Sequence, residues 1–77
     1  MSAVHHKQII NALKPLGLAC RASLSGRSLV IYRPSSYRWG INEIVLGTVR
    51  LENHCVERRI VEGIVGAAGY RIRIGRF

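Results

Sequence analysis

Two periodicities divide this chain and limit what it can build. Val4, Ile9, Ile10, Leu13 and Leu16 recur at helical spacing. From Leu18 to Leu24 the residues instead alternate, with Leu18, Cys20, Ala22 and Leu24 on one side and Ala19, Arg21 and Ser23 on the other. A single small chain that mixes the two periods has to pack helices against a sheet.

Ser2 is placed to cap the first helix, which Pro15 and Gly17 bring to an end at about Leu13. Ser25-Gly26 supplies a turn, and the β-rich run Leu29 to Tyr32 follows, so the two segments predict a hairpin. Arg33 to Gly40 holds Pro34, two serines and no apolar period, which predicts a surface loop. A third strand is expected from Ile44 to Glu52 with a bulge or bend at Gly47.

Asn53 is expected to cap a second helix in which Val56, Ile60, Ile64 and Ala68 recur every four residues, flanked by Val61 and Val65 and stopped at Gly69. Gly63 and Gly66 inside it each cost about 1 kcal/mol relative to Ala, a cost offset if the sheet or a second subunit packs very close there. Tyr70, Ile72 and Ile74 then alternate with Arg71 and Arg73, the clearest strand pattern in the chain. The expected fold is a single α+β domain over residues 1–77, in the order α-β-β-β-α-β. Its sheet is mainly antiparallel, with both helices on one face.

At 77 residues the core is thin, since a domain of this size buries only about 60% of its unfolded surface. Against that thin core stand 12 Lys and Arg and only 4 acidic residues, a net charge of +8. Such a charge repels itself in the compact state and calls for an anionic partner. Ten of the cations are Arg, whose planar fork matches phosphate or carboxylate bidentately. The longest apolar run, Ile60 to Tyr70, falls short of the roughly 20 residues of a membrane span. Two cysteines and no secretory signal predict reduced thiols and a cytoplasmic location.

If every strand turns its apolar side to the helices, Arg21, Arg50, Arg71 and Arg73 share the opposite face of the sheet. The segment from Arg33 adds Tyr37, Arg38 and Trp39, an aromatic and cationic cluster suited to base stacking or to a protein hot spot. These eight residues are the candidate binding site.

His5-His6 and His54-Cys55 lack the spacing of a zinc site, so no metal is expected. Catalysis needs a nucleophile with a base, or paired carboxylates. The chain has no Asp and only Glu43, Glu52, Glu57 and Glu62, two of which lie on the second helix where local ion pairing is the simpler role, so no catalytic residue is assigned and no cofactor is implied. The order of helix, three strands and helix resembles that of the double-stranded-RNA-binding fold. That fold's Lys-rich second-helix start is replaced here by His54-Cys55-Val56-Glu57-Arg58-Arg59, so the resemblance carries no RNA-specific function.

The chain is therefore expected to be a non-catalytic protein that engages the phosphate backbone of nucleic acid through an Arg-rich sheet face. The alternative is a small phage or mobile-element inhibitor of the anti-CRISPR kind, docking on an acidic or nucleic-acid-handling protein complex. No membrane partner is expected. Homodimerisation is compatible with a free last strand and with Gly63 and Gly66 on the second helix.

Overall fold

The structure, a computed structural model, describes residues 3–37 and 40–74. It is an α+β fold built from two antiparallel sheets and two helices. Strand β1 (Ala3–His5) leads into helix α1 (His6–Leu13), and a single 3-10 turn (Lys14–Leu16) follows. Strands β2 (Ala19–Ala22), β3 (Ser28–Tyr37) and β4 (Gly40–Arg50) form one sheet in that order. Strand β5 (Cys55–Glu57) returns to pair with β1, and helix α2 (Arg58–Ala67) closes the regular structure.

Each element ends where its chemistry requires. Gly17 sits in the left-handed region at φ 73°, donating to the Lys14 carbonyl while Leu18 donates to that of Leu13, and this closes off α1. The expected stop near Leu13 is where it occurs. Gly69, at φ 90°, ends α2 in the same way through Gly69→Gly66 and Tyr70→Val65 bonds.

The main sheet turns one face to the helices. Cys20, Ile31 and Gly47 form one cross-strand row, and Ala22, Leu29 and Val49 the next. Ile9 and Leu13 of α1 and Val61 and Val65 of α2 are fully buried against this face, with Leu18, Leu29, Ile31, Val49, Val56 and Ile74 completing the core. Between Ile31 and Tyr32 the pairing slips by one residue, so Leu46 is an extra residue on β4 and packs against the core. The expected irregularity at Gly47 is this bulge.

Six sequence expectations are corrected. Ser2 lies outside the described residues, and the cap of α1 is His5, because residues 3–5 are drawn into pairing with β5. Leu24 was expected on the buried side of a strand running to it, but β2 ends at Ala22 and Leu24 is exposed in the turn. The Arg33 to Gly40 segment is largely strand: β3 and β4 continue their pairing out to Tyr37↔Gly40. Pro34 is tolerated there because β2 pairs no further along β3 than Tyr32, so this stretch is an edge where a missing N–H is cheap.

Asn53 does not cap α2. With His54 it forms a two-residue turn, φ 50° and 64°, closed by reciprocal Glu52–Cys55 backbone bonds of 2.9 and 2.8 Å. Asn suits both roles, and pairing of β5 with β1 selects the turn. The helix therefore starts at Arg58, and Val61 and Val65 carry its buried stripe while Ile60 is 48% exposed.

Residues 70–74 were expected to form a strand, and no ladder includes them. Their alternation survives: Ile74 is buried, Tyr70 and Ile72 are half-buried against the core, and Arg71 and Arg73 are exposed. Period two here marks an extended segment laid on the core, without backbone pairing.

The close backbone approach also falls at a different glycine. A Cβ at Gly63 or Gly66 would meet nothing within 4 Å, whereas one at Gly47 would lie 2.9 Å from Ile64 Cγ2. Gly63→Ala and Gly66→Ala are each expected to raise stability by about 0.5–1 kcal/mol in urea denaturation. Gly47→Ala is expected to lower it by about 1–3 kcal/mol through overpacking. Combined with Ile64→Ala, its effect should be less than additive. A neutral Gly47→Ala would show that Ile64 does not hold the sheet at that point.

Candidate nucleic-acid interface

The register decides which cations share a surface. Arg21 pairs with Val30 and Val30 with Thr48, while Arg50 lies two residues beyond Thr48, so Arg21 and Arg50 both rise from the face of the main sheet away from the helices. Val30 is buried on this outer face, apart from the core cluster. Arg27 adjoins Arg50: its carbonyl accepts from Leu51 N at 2.8 Å, and Ser28 is the register partner of Arg50.

The outer-face arginines are not bare. Arg21 Nε donates to Glu43 Oε2 at 3.0 Å, tying β2 to β4 across β3, and Arg50 Nε lies 3.0 Å from Glu52 Oε1. On α2, Arg58 Nε donates to Glu62 Oε1 at 2.8 Å, one helical turn away. Glu43, Glu52 and Glu62 are thus bound to arginine. At this exposure each pair contributes about 0–1 kcal/mol and can exchange its carboxylate for an external anion.

Arg71 and Arg73 are exposed but belong to the 70–74 segment, so the expected convergence of four arginines on the sheet reduces to Arg21 and Arg50. The register error that a period-two argument risks did not occur at Arg21 or Arg50; what failed was the assumption that every alternating segment joins the sheet. Arg33 is exposed on β3, on the opposite face of the strand from Val30 and Tyr32. The backbone of Tyr37 pairs with Gly40; its side chain, and Arg38 and Trp39 altogether, lie outside the described residues.

Beyond the Tyr32↔Val45 pair the hairpin runs on as a two-stranded arm, because β2 pairs no further than Tyr32. Both faces of this arm carry exposed groups. Arg33, Pro34, Asn42 and Glu43 are exposed, Ile44 is 45% and Val45 54% exposed. Sequence reading missed this arm, and with it Asn42 and Ile44. The available signal was the long span between Tyr32 and Val45 with a glycine near its centre, which a hairpin also explains.

The chain matches no family model, no curated protein and no solved structure. Function must therefore be argued from the surface itself.

A second cluster forms where the β1–β5 pairing sets His5 opposite Cys55. The His5 and His6 rings stack with centroids 4.5 Å apart, and His54 lies 6.1 Å from His5 and 5.9 Å from His6. Stacked rings do not converge their nitrogens on one point, and among the described residues no group of three or more His, Cys, Asp or Glu is arranged to hold a metal ion. Cys20, half-buried on the core side, has its thiol pKa pushed up by burial, which keeps it protonated and unreactive.

The histidine cluster couples stability to pH. Lys7 N donates to His5 Nδ1 at 3.2 Å, an N-cap that needs the unprotonated nitrogen. Partial burial, then the neighbouring His6, Lys7 and His54, hold the His5 pKa below its usual 6.5. In this pH region the unfolded chain binds the proton more readily than the folded one, so stability is full above pH 6.5 and is lost as the pH falls below it. The melting temperature is expected to drop between pH 7 and pH 5.5. His5→Asn, which keeps a capping oxygen without a titrating ring, should flatten that drop; an unchanged slope in the variant would assign it elsewhere.

Proposed function

We propose that this protein binds nucleic acid through dispersed arginine contacts to the phosphate backbone, and that it does so without catalysing a reaction. The observation that carries the reading is the disposition of charge. The chain carries +8, most of its glutamates are already held by arginine, and Arg27, Arg33, Arg59, Arg71 and Arg73 stand exposed. A surface of this kind attracts a polyanion from any approach and releases the polyanion's counterions on contact.

The cations are spread over the outer sheet face, the turn before β3, the arm, α2 and the 70–74 segment. That spread suits a polymer, whose phosphates recur along its length, better than a small anion, which needs a convergent pocket. Tyr37, Arg38 and Trp39 belong to the same reading as stacking and phosphate-binding groups. Arg21 contributes less than Arg27 or Arg71, because Glu43 competes for its guanidinium.

Fluorescence anisotropy with DNA and RNA oligonucleotides checks the reading. If about six phosphates are contacted, affinity should fall on the order of a thousandfold between 50 and 200 mM salt. Arg71→Ala/Arg73→Ala should lower the slope of log K against log salt by roughly 2, and Arg27→Ala/Arg50→Ala and Arg21→Ala by less, because Glu52 and Glu43 compete for Arg50 and Arg21. Negligible binding at 50 mM salt to every oligonucleotide would overturn the proposal. It would favour docking on a protein complex, for which the exposed Ile44 and Val45 supply apolar contact.

A further inference from the structure

The arm of the β3–β4 hairpin has two chemically different faces. Register pairs Arg33 with Ile44 and Ser35 with Asn42, and alternation along β3 sets both pairs on one face. The other face carries Tyr32, Pro34, Glu43 and Val45, with Glu43 held by Arg21. All acidity of the arm's described side chains is thus on the second face, fastened toward the body of the protein.

Resting on the nucleic-acid reading above, we infer that the face formed by Arg33, Ser35, Asn42 and Ile44 reads base edges in the major groove of duplex DNA. The dimensions agree. A two-stranded ribbon has its strands about 4.8 Å apart, and with side chains it fits a groove about 12 Å wide and 8.5 Å deep. The five pairs from Arg33↔Ile44 to Tyr37↔Gly40 extend the arm past the last pairing with β2. At about 3.3 Å per residue they give roughly 16 Å of reach, more than the depth of the groove.

The side chains agree as well. Arginine is the usual bidentate partner of guanine O6 and N7, asparagine of adenine N6 and N7, serine bonds either, and an apolar group meets the thymine methyl. None of the four is acidic, so the face meets no repulsion from flanking phosphates. This face continues the helix-bearing side of the sheet, opposite Arg21 and Arg50, so backbone contacts to the duplex it reads fall to other exposed cations, a division between positioning and readout. The deep, narrow major groove of A-form RNA excludes such a ribbon.

The test is selection of the full-length protein against a pool of DNA duplexes with a randomised core, beside an RNA duplex pool, at a salt concentration where the unselected DNA pool still binds. Wild type should enrich a short motif containing G·C and A·T positions. Asn42→Ala should abolish preference at an A·T position and Arg33→Ala at a G·C position, each by roughly five- to a hundredfold. Bulky substituents that fill the major groove of the selected duplex should block binding, and a minor-groove ligand should not.

Circular dichroism of both variants controls for folding; their exposed positions make them mild substitutions. Binding of the pool without enrichment, enrichment that neither variant alters, or equal binding of the RNA pool would overturn the groove-reading inference and leave the backbone-binding proposal intact. Failure of the unselected DNA pool to bind at any salt would overturn the groove-reading inference, and failure of the RNA pool as well would overturn both.

Discussion

Ile64 resting on the backbone of β4 at Gly47 is the contact on which the rest of the structure depends. Gly47 is the register partner of Ile31, the central and fully buried residue of β3, and only a residue without Cβ lets α2 come so close. The extra residue of the bulge, Leu46, turns toward the core at the same place. Beyond it Val45 and Ile44 leave the core and become exposed. A bulge bends its strand and strengthens its twist, so one irregularity both seats the helix and marks where the body ends and the arm begins.

The parts of the fold legible in the sequence were those where local chemistry and tertiary pairing agreed. Gly17 and Gly69 have no competing role, and they stop their helices as expected. The β2–β3 hairpin likewise follows from alternation on both sides of Ser25-Gly26. The illegible parts were residues with two good local solutions. Asn53 suits an N-cap and a left-handed turn equally, and the choice is made by β1, a partner fifty residues away in sequence. Pro34 argues against a strand unless the neighbouring strand has ended, which no local pattern reports. The alternation from Tyr70 to Ile74 specifies which side chains go inward and is silent about backbone pairing.

The same distinction governs the candidate site. Arg21 and Arg50 reached a common face because parity along paired strands is rigid. Arg71 and Arg73 did not, because parity without pairing fixes no common surface. What the sequence could not reveal was the neutral content of the site. Asn42 and Ile44 are unremarkable residues until cross-strand register sets them beside Ser35 and Arg33. Composition draws attention to cations, and the groups that discriminate one base from another are as often uncharged.

The balance of charge and core gives these surfaces a further consequence. A small apolar core has to hold together a chain of net charge +8, in which like charges raise the energy of the compact state. The three arginine–glutamate pairs are exposed and offset little of this. A polyanion that binds only the folded form offsets it directly, adding about 2.7 kcal/mol when its concentration is a hundred times its dissociation constant. For a domain of this size that is a substantial share of a stability in the usual range of about 5–15 kcal/mol. On the proposed reading, binding and folding are linked through the same arginines: the charge that raises the energy of the isolated chain is the charge that would hold the polyanion. A surface evolved for solubility alone would have no reason to accept the first effect, since glutamate in place of several of these arginines would remove the repulsion and help solubility more.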